Sequence, residues 1–202
     1  MEGGKLSTKV QREQVLGNIV QAVAMLESCC EFAALMPEVR INIVYALPGA
    51  KTGKDVAAID GRITVVNGYP HASGLPRWGA SDHMARLVIE VRKYNIKVNS
   101  GINFRCDKKV ISVVKEYARK KGLKFGWIDR TREPESASLI DGASMPWKVK
   151  WMAKEFGEVP QVFYEGDGWG KEPLFMLVGE SAVSVAEMAI DIARLHNRYK
   201  VK

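Results

Sequence analysis

The chain has 202 residues, of which 47% are hydrophobic, 26% charged and 8% aromatic. Those proportions are ordinary for a water-soluble globular protein and exclude fibrous and disordered classes, and no window approaches the ~20 uninterrupted apolar residues of a membrane-crossing helix. Thirty basic against 23 acidic residues leave a net charge of +7, which favours anionic partners.

At ~100–200 residues per domain, one domain is expected across residues 1–202, with an N-terminal helix over residues 8–30 packed on it. That helix follows from Val10, Val15, Ile19, Val20, Val23 and Leu26 recurring at three- and four-residue steps, with Thr8 and Gln11 read as a capping box. After Met36-Pro37 the period changes. Ile41 to Ala46 is predicted as a strand stopped by Leu47-Pro48-Gly49, and Asp60-Gly61 introduces a second strand over Arg62 to Val66. Asn67 to Pro70 and Ser73 to Pro76 read as loop. A helix is predicted from Ser81 or Asp82 to Tyr94, a strand from Ile96 to Phe104, a helix from Asp107 to Lys121 and a strand from Leu123 to Ile128. A polar loop over Asp129 to Ser138 precedes a helix from Pro146 to Phe156. Strands over Gln161 to Tyr164 and Leu174 to Val178 flank a glycine loop, and Ala182 to Tyr199 closes the chain as a helix.

Strands and helices interleave throughout, yet two consecutive strand pairs lack an intervening helix. The expected fold is therefore α/β, a three-layer α/β/α domain with a mixed central sheet rather than a purely parallel one. Arg119-Lys120-Lys121 falls at a helix C-terminus, where cations complement the dipole. The other cations are scattered singly, several beside glycines, which suits a phosphate pocket better than a nucleic-acid groove. Neither nucleic acid nor a membrane is expected as partner.

Cys29, Cys30 and Cys106 form neither an even set nor a CxxC pair, so reduced thiols in a cytoplasmic protein are expected. Met1 to Lys5 lacks an apolar core and does not read as a signal peptide. His71, His83 and His196 form no HxH or HxxxH pair, which argues against a protein-made transition-metal site. No GxSxG elbow, Walker loop or helix-entering GxGxxG is present.

Two segments suit anions. Arg77-Trp78-Gly79-Ala80-Ser81-Asp82-His83 leads into a helix, where Ser81 could cap and His83 would stand in the first turn beside backbone N–H groups. The plain alternative is an ordinary cap with a partly buried polar histidine. Glu165-Gly166-Asp167-Gly168-Trp169-Gly170-Lys171-Glu172-Pro173 could open backbone amides at Gly168 and Gly170 to phosphate, with Lys171 as a point charge, or could be a long hairpin. Asp167 and Glu172 could hold a hydrated Mg²⁺. Arg62, after Asp60-Gly61, is a candidate anion ligand or an edge cation. Arg105 either reaches the same pocket or pairs with Asp107. Trp147 and Trp151, at i,i+4 spacing, read as core.

Val39 to Ala46, Asp55 to Ile63, Gly79-Ala80-Ser81-Asp82-His83-Met84-Ala85-Arg86, Gly101 to Arg105, the Asp129 to Glu135 loop and Gly170-Lys171-Glu172-Pro173, in that order, resemble the ThiN-type thiamine-phosphate synthase family. The domain is often fused behind a hydroxymethylpyrimidine/phosphomethylpyrimidine kinase. The resemblance implies a fold similar to class II aldolases. It also implies a transferase joining 4-amino-5-hydroxymethyl-2-methylpyrimidine diphosphate to 4-methyl-5-(2-phosphoethyl)thiazole, with Mg²⁺ as cofactor. It carries the critical arginine and histidine onto Arg62 and His83, with Ser81, Arg105 and Lys171 as further phosphate contacts. Two departures stand out: the run Asn103-Phe104-Arg105-Cys106-Asp107 where the family usually has a tyrosine after an Asn-Ile-Arg type strand motif, and Glu165 to Trp169 where an Asp-Arg-Gly-Gly pattern is usual. The alternative is a thiamine-sensing domain of a transcription regulator, a class expected to lack the Arg and His pair. The expected partners are small molecules, with a homodimer left open.

Overall fold

In the computed structural model, residues 8–134, 143–166 and 172–199 are described. Helix α1 (Thr8–Glu27) buries Val15, Ile19, Val23 and Leu26, and Thr8 is already helical rather than its cap. A 3-10 turn, Cys30–Leu35, leads to β1 (Ile43–Ala46). Strands β2 (Val56–Ile59), β3 (Ile63–Val66), β4 (Tyr69–Ala72) and β5 (Pro76–Trp78) follow before helix α2 (Asp82–Arg92). Then come β6 (Ser100–Arg105), α3 (Lys108–Lys121), β7 (Phe125–Ile128), α4 (Ser144–Phe156), β8 (Val162–Glu165), β9 (Leu174–Gly179) and α5 (Ala182–Arg198).

Seven strands form one sheet in the order β5-β2-β1-β6-β9-β8-β7, and β3 and β4 form a separate hairpin. Among the described residues only the β7–β8 pair is parallel, so the sheet is mixed, as the missing crossovers implied. Alternation along each strand divides the core. Ile43, Ile102, Phe104, Phe175 and Leu177 face α1, α3 and α5, while Val44, Ala46, Phe163, Met176 and Val178 face α2 and α4. Trp147 and Trp151 pack against the second core with ring centroids 6.4 Å apart.

Strands β2, β4 and β5 correct the sequence reading, which left their residues outside any strand. Val56-Ala57-Ala58-Ile59 carries two alanines of low strand preference, but all four residues are buried, and Ala57 and Ala58 are paired on both sides. Pro70 lies in the isolated hairpin and Pro76 in an edge strand, the positions where a missing N–H costs no ladder bond. Asn67 and Gly68, at φ 51° and 82°, make the tight turn between β3 and β4. Ile96, predicted in a strand, is 70% exposed and precedes β6. Helix α3 ends as its basic run implied: Arg119, Lys120 and Lys121 fill the last turn and Gly122 closes it at φ 66°.

Candidate active site

One end of the sheet gathers Arg62 and Arg105 from the candidates named above. Antiparallel pairing places the end of β2, the start of β1, the end of β6, the start of β9 and the end of β8 side by side. Arg62, Arg40, Arg105 and Glu172 flank those strand ends.

Arg62 follows a tight turn in which its N–H bonds the Ile59 carbonyl at 3.4 Å and Gly61 takes φ 76°. Arg62 itself sits at φ 71°, a conformation that strains a residue with a Cβ. Its guanidinium donates to the Val39 carbonyl. The turn is pressed from below by Gly74, where an added Cβ would stand 2.7 Å from the Asp60 carbonyl oxygen. An open cleft of about 550 Å³, lined by the Asp60-Gly61 turn and by Ser73 to Arg77, adjoins it, and Arg77 pairs with Asp60 at 2.9 Å.

Arg40, which the sequence reading passed over, mirrors this geometry at φ 68°. Ile41 and Ile63 form an isolated antiparallel bridge, their reciprocal N–H···O bonds measuring 3.2 and 2.8 Å, so the two strained arginines flank one junction. Two buried asparagines hold it. The Asn103 side chain accepts the Asn42 N–H at 2.8 Å and donates to the Arg40 carbonyl at 2.9 Å. The Asn42 side chain does the same for Ile59, at 3.0 and 2.9 Å. These amides continue the ladder where the backbone turns away. An asparagine inside each β-rich run, Ile41-Asn42-Ile43 and Ile102-Asn103-Phe104, was the available signal.

Glu172 closes the other side. Its carboxylate accepts the N–H groups of Glu38 and Val39 at 2.9 and 3.1 Å, tying the start of β9 to the segment that receives Arg62. Its oxygens therefore serve a backbone clasp, and among the described residues no group of three His, Cys, Asp or Glu is arranged to hold a metal ion. Asp167, Gly168, Gly170 and Lys171 lie outside the described residues. Arg105 is exposed and pairs with Asp107 at 3.0 Å, while Asp107 caps α3 through the N–H groups of Lys109 and Val110.

Farther along the same end, Lys148 and Glu165 form a buried ion pair, joined by Arg130 at 3.5 Å from the same carboxylate oxygen. Arg130 also lies 3.9 Å from Glu133, which accepts the Ser144 hydroxyl. Arg130 and Glu133 fall in the loop that the family resemblance includes, but no period or motif pointed to Lys148 as their partner.

His83 and Ser81 stand elsewhere. Strand β5 runs antiparallel to β2, so it delivers the chain to the opposite end, where the Gly79 N–H bonds the Val56 carbonyl at 2.9 Å. His83 is exposed in the first turn of α2. Ser81 holds the N-cap position with extended backbone, but its hydroxyl makes no capping bond, correcting that part of the reading. Asp82 instead braces the turn through Arg86, at 3.0 and 2.9 Å.

Comparison with known proteins gives one family match, described as thiamine-phosphate synthase ThiN, over residues 18–191. A protein of Methanothermobacter thermautotrophicus named thiamine-phosphate synthase ThiN is 38% identical over 91% of this chain and 94% of its own length. The bifunctional thiamine biosynthesis protein ThiDN of Methanocaldococcus jannaschii is 31% identical over 94% of this chain but only 43% of its own length. The crystal structure of the C-terminal domain of a phosphomethylpyrimidine kinase superposes with a TM-score of 0.86 at 33% identity, covering 90% of this chain and 99% of that one.

Proposed function

The chain belongs to the thiamine-phosphate synthase ThiN family, and from that premise we propose that it joins 4-amino-5-hydroxymethyl-2-methylpyrimidine diphosphate to 4-methyl-5-(2-phosphoethyl)thiazole. The thiazole nitrogen forms a C–N bond to the pyrimidine methylene carbon while the C–O bond to diphosphate breaks. Pyrophosphate leaves with the bonding pair. The attacking nitrogen carries no proton, so that step requires no general base. It does require neutralisation of charge growing on the leaving group and alignment of two rings.

The observation that best supports this reading is the strained, braced pair Arg40 and Arg62 at the sheet end. Asn103 braces the Arg40 carbonyl and Asn42 braces Ile59 at the turn into Arg62, so the backbone that carries these cations needs little reorganisation as charge develops. Arg62 is assigned to clamp the diphosphate, with Arg105 and Lys171 as further phosphate ligands. His83 is assigned to help the pyrophosphate depart by donating a hydrogen bond. Mg²⁺ is proposed only as the counter-ion that the diphosphate carries from solution. A cytoplasmic setting is proposed on the family's biosynthetic role.

The test is to incubate the chain with both substrates and follow thiamine phosphate and pyrophosphate together. Equal amounts of both are expected. Absence of both with authentic substrates, while thiamine phosphate shifts the melting temperature, would instead identify a sensing domain.

A further inference from the structure

Two phosphorylated substrates meet in the proposed reaction, and two anions of that charge repel each other unless separate cations hold them. The sheet end carries a second cation group, set apart from the Arg40–Arg62 junction. Strand β7 ends at Ile128, paired with Glu165 at the end of β8, and a 3-10 turn, Arg130–Arg132, follows it. Asp129 holds that turn, its carboxylate accepting the Thr131 N–H at 3.1 Å and the Thr131 hydroxyl at 2.6 Å. The Glu133 N–H closes it on the Arg130 carbonyl at 3.1 Å. The backbone of Arg130 is thereby fixed.

Its guanidinium is less committed. The Arg130 side chain is only 14% exposed, yet its nitrogens stand 3.5 Å from Glu165 and 3.9 Å from Glu133, both beyond hydrogen-bond range. Each carboxylate has a nearer partner, Lys148 for Glu165 and the Ser144 hydroxyl for Glu133. A guanidinium carries five N–H donors, and donors stripped of water are costly to leave unpaired. The strand register says what lies beside it. Arg105 stands opposite Leu174 and Leu174 opposite Glu165, so Arg105 and Glu165 share a row on the face of α2 and α4. They are two strands, or ~10 Å, apart, and the start of β1 lies one strand beyond Arg105, about 14 Å from Glu165.

We infer that Arg130 binds the phosphate of the thiazole substrate while the Arg62 corner holds the diphosphate. This rests on the proposed synthase reading and deepens it. In the reacting pair the two anions are separated by the thiazole ring, its two-carbon tether and the pyrimidine methylene carbon. Arginine side chains reaching inward from the two corners match that span. A planar guanidinium presents paired donors to two phosphate oxygens at once, which a lysine cannot.

The test compares the thiazole phosphate with 4-methyl-5-(2-hydroxyethyl)thiazole, the same molecule without its phosphate. Wild type is expected to favour the phosphate in kcat/KM by about 100-fold or more. Arg130→Gln should lower that ratio by about 10- to 100-fold, chiefly through a higher KM for the thiazole phosphate. Arg130→Lys repeats the comparison should the glutamine variant fail to fold. An unchanged ratio, or equal losses on both thiazoles, overturns the assignment, since a merely structural role would not discriminate between them. An inactive wild type removes the synthase reading alone, because calorimetry with the thiazole phosphate, pyrophosphate present, still reads the site. Binding weakened about tenfold or more in Arg130→Gln then supports it, and equal binding, or none to wild type, overturns it.

Discussion

The side chain of Asn103 stands in for a strand beside Asn42, accepting its N–H at 2.8 Å while donating to the Arg40 carbonyl at 2.9 Å. Asn103 is 6% exposed and Asn42 4%, so neither amide has water as a ready substitute. Replacing Asn103 by Ala leaves a buried donor and acceptor unpaired, at a cost of about 2–3 kcal/mol. Urea unfolding should show that loss, together with reduced turnover because the Arg40–Arg62 junction loosens. A variant as stable as wild type would remove the asparagine brace from the explanation.

The backbone strain at Arg62 separates stability from function. Glycine adopts φ 71° freely, whereas alanine retains most of the penalty, about 1 kcal/mol. Arg62→Gly should therefore be more stable than Arg62→Ala by about that amount, with both variants equally poor catalysts. Thermal melts and turnover measured on the same preparations check this. Equal stability of the two variants would contradict the left-handed conformation.

The Lys148–Glu165 pair should behave as a buried structural pair. With side chains only 5% and 8% exposed, removing Lys148 alone leaves Glu165 to Arg130 and a buried gap. Lys148→Met is expected to cost about 3–5 kcal/mol, and the double change with Glu165→Leu much less. Chemical denaturation of Lys148→Met, Glu165→Leu and the double variant tests the coupling; additive losses would contradict it.

Asp55 gives stability an acid limb. Its carboxylate accepts the Lys51 N–H at 3.1 Å, the Thr52 N–H at 2.9 Å and the Thr52 hydroxyl at 3.0 Å. Those hydrogen bonds, the Lys51 and Thr52 backbone contacts foremost, hold its carboxyl below the usual aspartate range. The contribution is complete above the unfolded value of about 3.9 and is lost as pH falls through the lower folded value. Asp55→Asn should thus be less stable than wild type at pH 7, and the difference should shrink below about pH 4. A difference that stays constant down to pH 2 would contradict the assignment.

Much of the fold was legible because long helices and β-branched runs announce their periods. Helix α3, with Asp107 capping its start and Gly122 ending it, matches the reading within a residue. Strands β2, β4 and β5 were not legible, since alanine and proline in them are rescued only by tertiary pairing. That gap hid the main feature of the site. Arg62 and His83 could be named from their motifs, but their placement at opposite sheet ends depends on the antiparallel register of β5 on β2. Arg40 was missed for a related reason: nothing local to its sequence demands a positive φ, which Ile63, through its bridge to Ile41, and Asn103 impose from 23 and 63 residues away.

Turnover of Arg62→Ala beside wild type, with thiamine phosphate and pyrophosphate both quantified, tests the role of the strained sheet end most directly. Loss of a preorganised charge facing the leaving group should lower kcat by about 10²–10³-fold, with the folded state retained. A variant within a few-fold of wild type would show that the diphosphate is held elsewhere.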